Sequence, residues 1–151
     1  MIKKSEPGMT IIVKTITRYT VALILLFGIY IVLHGHLTPG GGFAGGVIVA
    51  LSFVHIMLAF GKETAIKKMS EKSSGILESL GAILFVTIAL LGLTAGYFFF
   101  NFITGQKPLE TSFFRLFSSG IIPFCNIAIC LKVGAGLFGI FLALIFFKKN
   151  D

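Results

Sequence analysis

The sequence predicts an all-α, polytopic membrane protein with four transmembrane helices and both termini in the cytoplasm. Three observations carry that prediction. First, 56% of the 151 residues are hydrophobic and only 13% are charged, against roughly 25% charged in ordinary soluble domains. Second, the mean hydropathy is +0.98, and it comes from four apolar runs, each close to the ~20 residues a membrane helix needs. Third, the cations lie in short blocks between those runs. The formal charge of +7 therefore reads as membrane topology and not as a nucleic-acid footprint. One unit, residues 1–151, is expected.

The spans are expected at about 19–37, 43–60, 76–102 and 121–147. The first has no small-residue cleavage site and follows a polar start of 18 residues, so it does not read as a cleavable signal. Backbone groups in lipid must be paired internally, so these runs are helices. Orientation follows from the basic residues. Lys3, Lys4, Lys14 and Arg18 precede the first span, and Lys62, Lys67, Lys68 and Lys72 lie between spans two and three. Lys148 and Lys149 follow the fourth. All ten fall on one side, and the other holds only Lys107 and Arg115. The middle loop, 61–75, is charged and partly helical in this reading. The outer loop, 103–119, carries Leu109, Phe113, Phe114 and Leu116 and is expected to pack on a neighbour. Pro123 fits the first turn of span four, where its missing N–H costs nothing.

Between membrane helices, packing relies on small residues. In span four, Cys125, Ala128, Lys132, Gly136, Gly139 and Ala143 recur at intervals of three and four and form one helical stripe. In span three, Glu78, Ala82, Phe85, Ala89, Gly92 and Gly96 do the same, with Gly92 and Gly96 as a small-xxx-small pair. The two cysteines, Cys125 and Cys130, are not in a metal-ligand spacing and read as small packing residues.

Lys132 is the residue that most needs an explanation. It lies about eleven residues, or ~16 Å, from the outer end of its span. An ionisable group at that depth costs at least ~2.5–3.5 kcal/mol on insertion scales. Its stripe faces protein, yet the acids of this chain fall in the loops or at the inner boundary, where Glu78 is expected. Lys132 is then neutral, or meets water, or pairs with a carboxylate on another chain. Glu78 reads either as a residue of the cytoplasmic mouth of an ion path or as an acid favoured near a helix N-terminus. His55, with Ser52 on the same face, reads either as a hydrogen-bonded packing residue or as a proton relay.

The densest motif is His34-Gly-His-Leu-Thr-Pro-Gly-Gly-Gly-Phe-Ala-Gly-Gly46, joining spans one and two. Pro39 ends a helix and Gly40, Gly41 and Gly42 permit a tight reversal. Gly45 and Gly46 admit a close neighbour. His34 and His36 add titratable groups at the membrane edge, but two residues apart they cannot share a helix face, which argues against helical metal ligation. No Lys-Ser/Thr follows the glycines, so this is not a phosphate loop.

These residues, His34-Gly35-His36-Leu37-Thr38-Pro39-Gly40-Gly41-Gly42-Phe43-x-Gly45-Gly46, resemble the signature of the B subunit of Mrp/Mnh-type multisubunit sodium/proton antiporters. The resemblance extends to the length and the four-span plan. Gln is common in that family where this chain has Ala44. The resemblance implies an accessory subunit in the plasma membrane of a prokaryote, partnered by other antiporter subunits, helping to form or line a path for Na+ and H+. The family's module also occurs in energy-converting membrane-bound hydrogenases and sulfur-reducing complexes, where nickel-iron and iron-sulfur centres belong to partner subunits. On this reading the chain itself carries no cofactor, no metal and no catalytic residue. Two other classes compete. One is a self-sufficient small exporter, which would need an embedded acid that span one lacks. The other is a purely structural scaffold. Lys132, His55, Glu78, His34 and His36 are the candidate ion-path or coupling residues. Pro39, Gly40, Gly41, Gly42, Phe43, Gly45, Gly46, Gly136 and Gly139 are the candidate bend and packing residues.

Overall fold

The computed structural model describes residues 9–103 and 119–147. Five helices follow in order: α1 (Ile11–His34), α2 (Gly42–Phe60), α3 (Lys62–Lys68), α4 (Glu71–Leu93) and α5 (Ile122–Phe147). Among the described residues there is no strand. Helices α1, α2, α4 and α5 are long and apolar enough to cross a membrane. The outer loop expected to pack on a neighbour lies almost wholly outside the described residues, as do Lys3, Lys4, Lys107, Arg115, Lys148 and Lys149.

Two helices match the expected spans to within a residue, and two do not. Helix α1 starts at Ile11, ahead of the expected 19. Lys14, Thr15 and Arg18 lower the local hydropathy but do not break a helix. The Thr15 and Thr20 hydroxyls even donate to the carbonyls of Ile11 and Ile16, at 3.0 and 2.9 Å, hiding their polar groups on the backbone. Helix α4 starts at Glu71 instead of 76, because the Ser70 hydroxyl caps it by accepting from the Ser73 N–H at 3.1 Å. It stops at Leu93 instead of running to 102. There the chain folds back on its own last turn, with Gly96 at φ +101° and Phe99 at φ +58°. The Phe99 N–H returns to the Ala89 carbonyl at 3.4 Å. Gly92 therefore makes room for the backbone of residues 97–100, and Gly96 is exposed with open space around it. The expected Gly92–Gly96 pair does not face a helix.

The four long helices form a row, α1 beside α2, α2 beside α5 and α5 beside α4, with a lighter contact between α1 and α5. Helix α2 is packed from two sides through its glycines. On one side a Cβ at Gly45 would strike Val32 of α1 and sit 3.0 Å from the Gly28 carbonyl. On the other, a Cβ at Gly42 would strike the Asn126 carbonyl, and one at Gly46 would lie 3.0 Å from the Cys130 carbonyl of α5. Helix α5 meets α4 as closely: a Cβ at Gly81 would lie 2.6 Å from the main-chain nitrogen of Lys132. The buried Ser74 hydroxyl donates to the Ala135 carbonyl across this seam, at 2.6 Å. At the lysine-rich end, α3 folds against α2. There Ala65 and Met69 join Met57 of α2 and Phe138 and Leu142 of α5 in a buried cluster.

Glycines at the seams and a glycine facing outward should respond oppositely to substitution. Gly46→Val overpacks the α2–α5 seam and should cost about 1–3 kcal/mol. Gly75→Ala, where a Cβ meets nothing within 4 Å, should stabilise α4 by about 1 kcal/mol through helix propensity. Thermal unfolding in mild detergent reads both.

Candidate functional site

The α4–α5 seam carries the charges. Because α4 begins at Glu71, Glu78 lies a full two turns inside the helix and not at its mouth. It reaches the level of Lys132, which stands ten residues past the start of α5 at Ile122. The Lys132 ammonium donates to Glu78 Oε1 at 3.2 Å. The expectation that Lys132 has no carboxylate at its depth within this chain is thus corrected: the partner is Glu78. Gly136 lies beside the pair: a Cβ there would touch the Glu78 carboxyl carbon at 3.5 Å, an ordinary contact distance. One turn away, a Cβ at Gly139 would lie 3.4 Å from the Ser74 hydroxyl. The small stripe of α5 is therefore the floor under an ion pair. That pair is not sealed: the two side chains are 52% and 44% exposed. Helix α4 is the edge of the row and packs substantially only on α5, so the seam opens sideways.

The Gly-rich bend is built around one acceptor and one amide. The His34 carbonyl, at the end of α1, accepts from the N–H groups of Leu37 and Thr38 at 2.8 and 2.9 Å. It also accepts from the Thr38 hydroxyl at 3.1 Å. The chain then reverses through Gly40 at φ +148° and Gly41 at φ +92°, conformations that a side chain would strain. Helix α2 starts at Gly42, whose N–H donates to Asn126 Oδ1 of α5 at 3.2 Å. Asn126 is 9% exposed. Its Nδ2 is buried, faces Gly35, and has no hydrogen-bond partner among the described residues. Asn126 was not singled out in the sequence. The available signal was a lone amide in an apolar run, and nothing in the spacing tied it to a bend 84 residues earlier. Pro39 and Phe43 are both exposed, Phe43 to 65%.

The histidines fall in separate places. His34 Nδ1 donates to the Tyr30 carbonyl at 3.1 Å, and its ring stacks on that of Tyr30 with centroids 4.2 Å apart. His36 is half-buried in the bend. His55 lies near the other end of α2 and shares a hydrogen bond of 3.2 Å with the buried Thr17 hydroxyl of α1. Ser52, one turn before it, donates to the Val49 carbonyl at 2.6 Å. His55 thus belongs to the α1–α2 seam and the Lys132–Glu78 pair to the α4–α5 seam.

Residues 12–139 match the family described as a domain related to the MnhB subunit of Na+/H+ antiporter. The chain is 40% identical to the uncharacterized protein MJ1307 of Methanocaldococcus jannaschii, over 76% of its own length and 44% of that protein's. It is 37% identical to the putative antiporter subunit mnhB2 of Staphylococcus aureus strain Newman, over 39% of its own length and 42% of that subunit's. Among solved structures, it resembles a chain of the membrane-bound sulfane sulfur reductase, an archaeal respiratory membrane complex. That match has a TM-score of 0.74 and 35% identity, covering 93% of this chain and 59% of the other. The chain spans less than half the length of the curated relatives it matches. The four apolar helices and these likenesses make it a multi-pass membrane protein.

Removing the Asn126 amide leaves the Gly42 N–H unpaired at a buried helix start. Asn126→Ala should therefore cost about 1–3 kcal/mol. Thr17→Val, which takes one partner from His55, should cost about 0.6 kcal/mol, the average for a hydrogen bond between membrane helices. Thermal unfolding of the two variants side by side checks the order.

Proposed function

The chain belongs to the family of domains related to the MnhB subunit of the Na+/H+ antiporter, and on that premise we propose that it is a non-catalytic subunit of a sodium/proton antiporter module. Its partners are other antiporter subunits, and it helps to form or line the path of Na+ and H+ across a prokaryotic plasma membrane. The single observation that carries this reading is the Lys132–Glu78 pair. The two groups face each other inside membrane-spanning helices while remaining about half exposed. Hydrocarbon does not solvate such a pair at that depth. In this reading water and a partner subunit cover it, which places charged groups of this chain beside an ion path. A carboxylate joined to an ammonium by one hydrogen bond is also a group for which a cation entering the seam can compete.

Both termini and α3 lie on the cytoplasmic side in this reading. Lys62, Lys67, Lys68 and Lys72 sit together at the α3 end of the row, opposite the Gly-rich bend, as the bias of basic residues toward the cytoplasm requires. The bend, with His34 and His36, then faces outward. The chain needs no cofactor of its own. A second reading has one observation in its favour, the likeness to a chain of a sulfane sulfur reductase complex. There the same subunit would serve a redox-driven pump, and any nickel-iron or iron-sulfur centres would belong to its partners.

Lys132→Met and Glu78→Gln, made in the intact assembly, separate a path residue from a scaffold. Both variants should assemble normally and lose at least about tenfold in sodium/proton exchange, read in everted membrane vesicles, a change of ~1.4 kcal/mol in the barrier. Exchange at the wild-type rate in both would assign the pair a structural role only.

A further inference from the structure

One surface takes no part in the seams already described. The outer face of α4, turned away from α5, carries an open groove of about 490 Å³ lined by Lys72, Gly75, Ile76, Ser79, Leu80 and Ile83. Its floor is apolar: Ile76, Leu80 and Ile83 are 60%, 52% and 62% exposed. Ser79 does not make it polar, because its hydroxyl donates back to the Gly75 carbonyl at 2.9 Å. The absent side chain at Gly75, which has open space above it, recesses the groove just below Lys72. The charge lies at one end only. Lys72 stands in the first turn of α4, where the helix dipole is positive, and the exposed Lys67 and Lys68 close α3 just before it. Glu71 is the acid at this end of α4.

We propose that this face binds one anionic phospholipid. Its phosphate sits at Lys72 and the start of α4, and an acyl chain lies along Ile76, Leu80 and Ile83. Two features of the same groove argue for a lipid and not a protein helix. Its polarity changes once, from cationic to apolar, over the first three turns of α4, as a lipid's changes from head to tail. Below Lys72 its one polar side chain is Ser79, whose hydroxyl proton is already given to its own helix and is not free for a partner helix. Surface lysines attract anionic headgroups in general; the recess at Gly75 is what makes this a site with a position for the chain.

The test is native mass spectrometry of the intact assembly, purified in mild detergent and supplied with phosphatidylglycerol or phosphatidylcholine. The wild type should retain phosphatidylglycerol roughly fivefold better, the effect of about one lysine near the membrane surface. Lys72→Gln should abolish that preference. Gly75→Phe, which the open space tolerates, should fill the groove and release both lipids while leaving Lys72 in place. Three results would overturn the proposal. One is no preference in the wild type. Another is a variant set that sheds a protein subunit in place of lipid. The last is displacement of phosphatidylglycerol by inorganic phosphate alone.

Discussion

Close backbone approach between membrane helices is the constraint on which the rest of this structure depends. Lipid tails are as apolar as leucine, so burying leucine drives no helix onto another. What holds the row together is contact that only small residues permit. Gly45 lets α1 in, Gly42 and Gly46 let α5 in, and Gly81 does the same between α4 and α5. The large apolar side chains point the other way: Leu23, Leu58, Leu90 and Leu144 are among the many left exposed. In a soluble protein that inversion would be a defect, and in a bilayer it is the solvent-facing surface.

The same constraint fixes where the polar groups lie. Helix α2 is closed on both sides, so its polar group, His55, finds Thr17 within the protein. Helix α4 is held on one side, so the seam it makes with α5 has an open flank, and the charged pair lies in that flank. The glycines that allow the approach also set the geometry of the pair. Gly136 leaves the carboxylate of Glu78 room beside α5, and the Ser74 hydroxyl locks the two helices one turn away. A side chain larger than a methyl at position 136 would press on the carboxyl group of Glu78 and push it from the lysine. The bend shows the reverse arrangement. There polar groups are buried, and Asn126 ties the start of α2 to α5, so the Gly-rich bend is anchored to a helix far along the chain.

Much of this was legible in the sequence, and the parts that were not have identifiable causes. The all-helical plan and the extents of α2 and α5 follow from hydropathy alone. The bend at Pro39 to Gly42 follows from its proline and glycines, and the facing of the Lys132–Gly136–Gly139 stripe from its helical spacing. The partner of Lys132 was hidden by a boundary error. Glu71 and Lys72 lower the hydropathy and push the apparent start of the span to Ile76. The Ser70 cap, a local signal, starts the helix earlier and carries Glu78 inward with it. At the other end, apolar Tyr97, Phe98 and Phe99 look like more helix, but a positive φ at Gly96 turns them back. Asn126 was missed because its meaning lies in a contact with Gly42, distant in the chain, which no period or spacing announces.

In the proposed function the half-open seam faces other subunits of a larger assembly, and co-purification tests that most directly. Mass spectrometry of the proteins retained with the chain in mild detergent should find antiporter subunits. Nickel-iron or iron-sulfur proteins among them would place the module in a redox-driven complex, and their absence in a free-standing exchanger. A chain that purifies alone, stays folded and exchanges sodium for protons by itself in liposomes would contradict the account.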